Sequence, residues 1–337
     1  MTMRALPIGK IDPEILGNFL LRYTRKDERV VIGAGIGEDA AVIDMGSILL
    51  VAKTDPITHA ATEIGRYAVH INANDIAAMG GTPKWYLATI LMPKGSHAED
   101  VGLIFAQLSK SCEEIGVVYC GGHTEVTTSV KHPVVIGQML GEASRENLKP
   151  SSGAKVGDDL IMTKTAALEA TAIIALEKEK ELKKHFSPEM IRRAQNYLHE
   201  PGLSVLKEAE IMSRMRGVHA LHDPTEGGIA TGLFEIAGAS GVGAQVYDDQ
   251  IPIAQETGLL CAHFRINPLG AFASGSLLAA VSPEDSGRAM EALASANIPA
   301  ARIGKIVERT EGLKLMRKGE ILPLPIFHQD ELSRLFG

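Results

Sequence analysis

The sequence has few cysteines and few aromatic residues, and it has no excess of positive charge. Among 337 residues there are three cysteines, 4% aromatic residues, and 34 Lys and Arg against 41 Asp and Glu. Three cysteines without a CxxC pair cannot build a disulfide framework, and their spacing disfavours a structural zinc site. Thiols in a reducing cytoplasm are the favoured interpretation. The net charge of −7 argues against a nucleic-acid partner, because such binding needs a basic face.

Long apolar runs and the common nucleotide-binding loops are also missing. No uninterrupted apolar run reaches about 18 residues, so we expect no membrane span. The first residues, MTMRALPIGKIDPE, have no apolar core of signal-peptide length. Gly-Lys is never followed by Ser or Thr, which excludes a Walker loop. The run 33–37 (GAGIG) is not a dinucleotide fingerprint, because no strand precedes it in the right order and no helix begins from it.

What is present is typical of a folded globular protein. Hydrophobic residues make up 45% and charged residues 22% of the chain. At roughly 150 residues per domain, the length favours two domains. The polar, turn-rich stretch 147–157 (NLKPSSGAKVG) is the best candidate for the connection between them. We therefore predict domains at 1–150 and 151–337.

Strand-like and helical segments alternate along both parts of the chain. This pattern predicts an α/β or α+β fold, with antiparallel pairs where links are too short for a crossover helix. A first helix is expected from Pro13, with Asp12 as its cap. Further helices are predicted over 63–79, 98–115, 166–177, 203–215, 226–239 and 284–296. Strands are predicted over 40–43, 48–53, 85–92, 117–120, 134–140, 159–163, 277–281 and 302–307.

Four aspartates stand in or beside glycine-rich segments. Asp39 lies between a glycine turn and a strand, Asp55 lies at a strand end before a proline, and Asp223 lies before a helix start. Asp75 lies within an apolar helical stretch, where a carboxylate is costly unless it is paired or bound to a cation. Carboxylates at turns and strand ends are what a Mg²⁺–phosphate site needs. Each aspartate alone is also typical of a turn former or helix cap, so both interpretations stay open.

The segment 222–228 (HDPTEGG) begins a helix. Backbone amides at a helix start can bind an anion, and paired glycines allow its close approach. An ordinary capped helix start is the alternative interpretation.

The order of these segments resembles the aminoimidazole ribonucleotide (AIR) synthase-related superfamily. That group includes AIR synthase, thiamine-monophosphate kinase, selenophosphate synthetase and the hydrogenase maturation factor HypE, and the resemblance is greatest to HypE-like members. The motifs that carry it are 37–42 (GEDAAV), 54–55 (TD), 74–83 (NDIAAMGGTP), 223–225 (DPT) with 227–228 (GG), and 267–269 (NPL). They are spread over nearly the whole chain, and they are specific to the superfamily rather than to one activity.

The resemblance implies a two-domain fold in which the N-terminal domain gives strands to a barrel at a dimer interface. A C-terminal α/β domain would pack against it. The implied protein is a homodimer that binds ATP with Mg²⁺ and activates an oxygen of a small-molecule substrate. By motif position, the expected metal ligands are Asp39, Asp55, Asp75 and Asp223, and the last three are the expected catalytic residues. The expected nucleotide-binding residues are Asp39, Asn74, Thr54, Thr225, Gly227 and Gly228.

Three features depart from the family pattern. His123 stands in 121–126 (GGHTEV) where relatives usually have an acid, and imidazole is a poorer Mg²⁺ ligand; Glu125 is a candidate replacement, and a satisfied histidine near a turn is the alternative. The segment 163–170 (TKTAALEA) has little glycine for close approach to phosphate. HypE proper ends in a flexible tail whose terminal cysteine accepts a carbamoyl group. No cysteine follows Cys261 here, so the nucleophile for that chemistry is missing.

Three hypotheses about function follow from the resemblance and its departures. The first is a HypE-like, Mg-ATP-dependent enzyme that activates or phosphorylates an oxygen of an unidentified small molecule. The second is an enzyme like thiamine-monophosphate kinase, which the absence of an aspartate at position 123 disfavours. The third is a non-catalytic, nucleotide-binding partner of hydrogenase maturation proteins.

Overall fold

The computed structural model describes Leu6, residues 9–58 and residues 62–336, and their strands form two sheets. The helices of this part of the chain are α1 (Pro13–Tyr23), α2 (Ile64–Ala78), α3 (Ala98–Glu114), α4 (Leu168–Glu177), α5 (Glu179–Leu182), α6 (Pro188–Gln195), α7 (Leu206–Ser213), α8 (Gly228–Ser240), α9 (Gln255–Phe264), α10 (Pro283–Ser295) and α11 (Ser333–Phe336). The strands are β1 (Val30–Ile32), β2 (Ala41–Asp44), β3 (Leu49–Ile57), β4 (Thr82–Pro93), β5 (Val118–Thr127), β6 (Val134–Ala143), β7 (Asp159–Thr163), β8 (Val218–His222), β9 (Gly243–Tyr247), β10 (Leu278–Val281), β11 (Ala300–Val307), β12 (Leu313–Arg317) and β13 (Glu320–Pro323). The predicted mixed α/β class is confirmed.

The first sheet has the order β1-β2-β3-β6-β4-β5. Its neighbours are antiparallel except β4 and β5, which are parallel and joined through α3. Alternation along the strands buries Val51, Tyr86, Ile90 and Met139 on one face, which α2 and α3 cover. The opposite face is open, and Trp85 on it is 37% exposed.

Helix α2 is surrounded by protein on nearly every side. Fourteen of its fifteen residues are buried, and Arg66 is the exception. Small side chains allow this: a Cβ atom added at Gly65 would lie 3.0 Å from the carbonyl oxygen of Ile104 in α3. The helix packs against β3, β4 and β6 on one side and against α7 and β8 on the other. A polar residue of α2 such as Asp75 is therefore placed inside the protein.

The second sheet has the order β13-β12-β9-β11-β7-β10-β8, and only β9 and β12 pair in parallel. Every residue of the interior strand β7 is buried. One apolar cluster contains Tyr67 of α2 together with Leu168 and Ile174 of α4, so the core continues from the first sheet into the second part of the chain. No helix in the described ranges is long and apolar enough to cross a membrane.

Strand β5 corrects the sequence prediction. It was predicted to end at Cys120, but it continues to Thr127, so His123 and Glu125 lie within a strand. Gly122 explains the error, because its φ is +144° and an added Cβ would lie 1.9 Å from the carbonyl oxygen of Ala88. Glycine is needed here for the close approach of β5 to β4 and not for a turn.

The predicted connection at 147–157 is partly packed inside the protein, although Ser152 and residues 155–157 are exposed. The backbone N–H of Lys149 donates to the carbonyl of Met79, and the N–H of Leu221 donates to the carbonyl of Lys149. Ser151 is completely buried. The polar residues Lys149 and Ser151 form hydrogen bonds inside the protein. The domain boundary at residue 150 stays a prediction.

Gly80, the first residue after Met79 at the end of α2, provides a test of this packing. Its φ is +77°, and a Cβ there would lie 1.8 Å from the carbonyl oxygen of Asn147. We expect Gly80→Ala to lower the free energy of unfolding by about 2–4 kcal/mol, from left-handed strain plus overpacking. Gly116→Ala is the control, since its φ is +69° but nothing lies within 4 Å of the added Cβ. Denaturant unfolding should show a loss of about 1 kcal/mol for the control, and equal losses in the two variants would contradict this account.

Candidate metal centre

Three buried aspartates from distant parts of the chain converge between α2 and the end of β8. Asp39 precedes β2, Asp75 lies in the last turn of α2, and Asp223 directly follows β8. One carboxylate oxygen of each lies within 4.8 Å of the others. These residues are 6%, 3% and 2% exposed, respectively. Within the described ranges, this triad is the one group of three or more metal-ligating side chains that meets this distance.

Several oxygens of the triad have nothing to bind. Neither oxygen of Asp223 has a hydrogen-bond partner among the described residues, and neither does Oδ2 of Asp75. Burial raises the pKa of both carboxyls well above its ordinary value, and neighbouring carboxylates raise it further. Unpaired buried carboxylates are costly unless they take up protons or a cation. An all-oxygen donor set of this kind fits a hard divalent cation such as Mg²⁺.

Asp39 is held by a network of side chains that the sequence motifs indicate only in part. His222 Nδ1 lies 2.8 Å from Asp39 Oδ1, and the Ser151 hydroxyl donates to Oδ2 at 3.2 Å. His222 Nε2 lies 3.0 Å from Glu235 Oε2, and Glu235 Oε1 lies 3.1 Å from Lys10 Nζ. Burial alone would lower the pKa of His222, but Asp39 and Glu235 outweigh it and raise that pKa well above its ordinary value. The charged ring therefore fixes the orientation of Asp39, as residues behind a metal ligand commonly do.

The sequence signal for this network was partial. His222 directly precedes Asp223 in the motif 222–228, so its position was visible although its partner was not. Ser151 stood in the segment predicted as a connection, and nothing in its neighbours along the chain indicates a role in a site.

Asp55 lies beside the triad and not within it. Lys53 and Asp55 are two residues apart on β3 and so share a face of the sheet. Lys53 Nζ lies 2.9 Å from Asp75 Oδ1 and 3.4 Å from Asp55 Oδ2. The Asp55 side chain is 35% exposed, compared with 4% for Asp75. The structure thus brings three of the four predicted metal-binding aspartates together, and Lys53 joins the fourth to them.

Thr54 and Asn74, both predicted to bind nucleotide, form hydrogen bonds with backbone groups. Thr54 lies on the other face of β3, where its hydroxyl donates to the carbonyl of Gly137 at 2.8 Å. Asn74 Nδ2 donates to the carbonyl of Leu203 at 2.8 Å, and its Oδ1 accepts from the N–H of Val205 at 3.0 Å. Asn74 therefore holds α2 against the segment before α7.

The loop after Asp223 already contains a carboxylate at the predicted anion position. The N–H of Gly227 donates to Asp330 Oδ2 at 2.8 Å, and the N–H of Gly228 donates to the carbonyl of Thr225 at 3.0 Å. Asp330 is 1% exposed, and burial raises its pKa to about 7. The start of α8 is thus bound by the C-terminal segment of the same chain.

His123 and Glu125 do not complete the triad within this chain. Both lie on β5, with side chains 65% and 48% exposed, and His123 Nε2 lies 3.3 Å from Glu125 Oε2. Neither belongs to the group of converging aspartates. The idea that Glu125 replaces an acid at position 123 gains no support from one chain alone.

The raised pKa of Asp223 predicts how stability depends on pH without metal. As pH rises, the unfolded chain loses the Asp223 proton first, so the folded state binds more protons and the free energy of unfolding falls. The fall begins near pH 4 and amounts to about 1.4 kcal/mol for each unit by which the folded pKa exceeds the unfolded one. Chemical unfolding in EDTA from pH 4 to pH 8 measures it.

We expect Asp223→Asn to reduce this pH dependence, with the remainder due to Asp75, and to be more stable than the unchanged protein at pH 8 in EDTA. Saturating Mg²⁺ should flatten the pH dependence of the unchanged protein and leave the variant nearly unaffected. A variant with the same slope as the unchanged protein would rule out Asp223 as the origin of the effect.

Comparison with known proteins places these residues in context. The chain is 26% identical to a hydrogenase expression/formation protein of Methanocaldococcus jannaschii over 298 residues, which cover 85% of this chain and 84% of that protein. It is 28% identical to carbamoyl dehydratase HypE of Cupriavidus necator over 282 residues, 81% of this chain and 77% of that protein. It is 31% identical to selenide, water dikinase of Dechloromonas aromatica over 251 residues, 72% of this chain and 68% of that protein.

Solved structures share the fold. A HypE–HypF complex matches with a TM-score of 0.76 at 20% identity, covering 93% of this chain and 99% of the matched chain. HypE in complex with ATP matches with a TM-score of 0.72 at 20% identity, covering 97% and 98%. ThiL complexed with AMPPCP and TMP matches with a TM-score of 0.72 at 20% identity, covering 92% and 93%.

Family models match both parts of the chain. The N-terminal domain of AIR synthase related protein matches residues 37–143, and the C-terminal domain matches residues 155–315. Both the triad and the motifs that carried the resemblance fall within these ranges. The chain belongs to the AIR synthase-related proteins.

Proposed function

We propose that this chain is an enzyme that uses Mg²⁺ and ATP to activate an oxygen of a small molecule by phosphorylation. The observation that carries the proposal is the buried triad of Asp39, Asp75 and Asp223, whose unpartnered oxygens fit a hard divalent cation. Similar proteins support the nucleotide: one relative is a dikinase by name, and structures of the same fold contain ATP or AMPPCP.

The residues around the triad have separate tasks in this proposal. When bound, the cation would neutralise charge on the phosphates, which is the main requirement of phosphoryl transfer. Asp75 and Asp223 would hold it with oxygens that are free of other partners. Asp39 would add an oxygen whose direction His222 and Ser151 set. Burial of the triad excludes water and strengthens these interactions.

We propose that the acceptor is a free small molecule and not a cysteine of this chain. Cys112 and Cys261 are buried, and burial raises the pKa of each thiol to about 12. Almost no thiolate is then present at neutral pH, and the thiolate is the nucleophilic form. Cys120 is exposed, but it lies on β5 with its Sγ 3.4 Å from the carbonyl oxygen of Tyr86.

A role in hydrogenase maturation is the biological setting that we propose. Two relatives carry hydrogenase-maturation names, and a HypE–HypF complex shares the fold, which supports a maturation protein as partner. The three free cysteines suit a cytoplasmic protein. Phosphorylation of thiamine monophosphate is the second candidate activity, supported by the likeness to ThiL with AMPPCP and TMP.

We also propose that the protein is a homodimer formed through the open face of the first sheet. Trp85 and Val118 pair across β4 and β5 on this face and are 37% and 58% exposed. Strand β5 is the sheet edge, and its ten residues are unpaired on one side among the described residues. A long edge beside an exposed apolar face is a place where another chain commonly binds.

Asp75→Asn tests the activity. We expect it to remove Mg²⁺-dependent ATP binding and to lower ATP turnover roughly 100-fold, because it takes away charge needed at the cation. Turnover is measured as ADP and phosphate release with Mg-ATP and a panel of carbamoyl compounds, selenide and thiamine monophosphate. Asp248→Asn is the control, since Asp248 pairs with Arg317 at 2.8 Å on the surface. Equal turnover in both variants would refute the assignment.

Val118→Asp tests the dimer. An aspartate on the open sheet face would be desolvated in the interface, so we expect sedimentation velocity to show a monomer where the unchanged protein is a dimer. Leu103→Asp is the matched control, because Leu103 is 61% exposed on α3, which covers the other face. A monomeric unchanged protein, or dissociation in both variants, would contradict this interface.

A further inference from the structure

Lys53 places a positive charge inside the acidic site. Its side chain is 20% exposed, and its Nζ lies 2.9 Å from Asp75 Oδ1 and 3.4 Å from Asp55 Oδ2. It thereby covers one oxygen of Asp75 and leaves Oδ2 without a partner among the described residues. The unpartnered oxygens of the triad belong to Asp75 and Asp223.

The charges of the triad and of the ion-pair chain attached to it nearly balance. The carboxylates are Asp39, Asp55, Asp75, Asp223 and Glu235, and the cationic groups are Lys53, His222 and Lys10. Two negative charges remain when all of these groups are ionised. One divalent cation would neutralise this remainder. Without Lys53, three negative charges would remain.

Lys53 has the properties of a fixed cation. Its Nζ lies within ion-pair distance of two carboxylates, Asp75 and Asp55, so the ammonium group is held between two negative charges. An ammonium group has three N–H donors, and two of them suffice for Asp75 and Asp55. One donor is left for a further ligand, and the side chain is 20% exposed. A phosphate oxygen is the ligand that suits it, since lysine binds phosphate as a point charge.

We propose that Lys53 is a built-in cation of this site, which limits the protein to one divalent cation and binds a phosphate oxygen of the nucleotide. This inference rests on the proposed function, because it assigns Lys53 a place beside Mg²⁺ and ATP. It goes further in stating that the ammonium group takes the position between Asp55 and Asp75 that a second divalent cation would otherwise occupy.

Metal stoichiometry in the absence of nucleotide tests the proposal. We expect the full chain to bind one Mn²⁺ per molecule, with free Mn²⁺ measured by electron paramagnetic resonance. Lys53→Met removes the charge and keeps most of the volume, so it should bind two Mn²⁺. The same variant should bind ATP about tenfold more weakly, as expected for loss of one hydrogen bond to a charged group. Lys53→Arg keeps the charge and should keep a single Mn²⁺.

Two further variants control for the loss of any lysine and for an effect specific to methionine. Lys178→Met removes another lysine, whose Nζ donates to the carbonyl of Leu335 at 3.1 Å, and it should bind one Mn²⁺ and ATP as the unchanged protein does. Lys53→Gln is a second neutral variant that should also bind two Mn²⁺, and denaturant unfolding verifies that each variant is folded.

The outcomes separate this inference from the proposed function. The role of Lys53 would be overturned if the folded Lys53→Met and Lys53→Gln variants bound one Mn²⁺ and bound ATP as tightly as the unchanged protein does. Binding of two Mn²⁺ by the unchanged protein would also overturn it. An unchanged protein that binds neither Mn²⁺ nor ATP would instead overturn the proposed function.

Discussion

Two carboxylates buried side by side cannot both be ionised unless a cation shares the space between them. Asp75 and Asp223 are in this position, since both are buried and have oxygens without partners among the described residues. Two cationic side chains of the site partly compensate this negative charge. Lys53 forms an ion pair with Asp75, and His222 forms one with Asp39. The folded chain therefore has an excess of negative charge at the triad of Asp39, Asp75 and Asp223.

The elements that carry these residues explain why the deficit persists. Helix α2 is buried between the first sheet and α7, so Asp75 cannot turn outward to water. Asp223 follows directly on β8, and the loop after it is tied to the C-terminal segment through Gly227 and Asp330. That contact uses a backbone amide at the start of α8. In the proposed function, phosphate recognition therefore depends on the cation and on Lys53 more than on this helix start.

Much of the secondary structure could be predicted from sequence patterns. The helices predicted over 63–79, 98–115 and 284–296 differ from α2, α3 and α10 by at most a residue at either end. Strand β5 was predicted too short because glycines that permit close strand contact look like turn glycines in a sequence. Strands β8 and β9 and helix α9 were not predicted, since their short apolar runs show no clear period.

The sequence by itself determined the family, the mixed α/β class and the four aspartates, because glycine, acid and proline at set spacings identify local turns and helix ends. Only the tertiary structure decided that Asp39, Asp75 and Asp223 meet while Asp55 lies across Lys53. It also decided that His222 and Ser151 hold Asp39, and that Asn74 packs against backbone. The physical reason is that these contacts join residues far apart in the chain. Their distances depend on how the two sheets pack around α2, which no local pattern encodes.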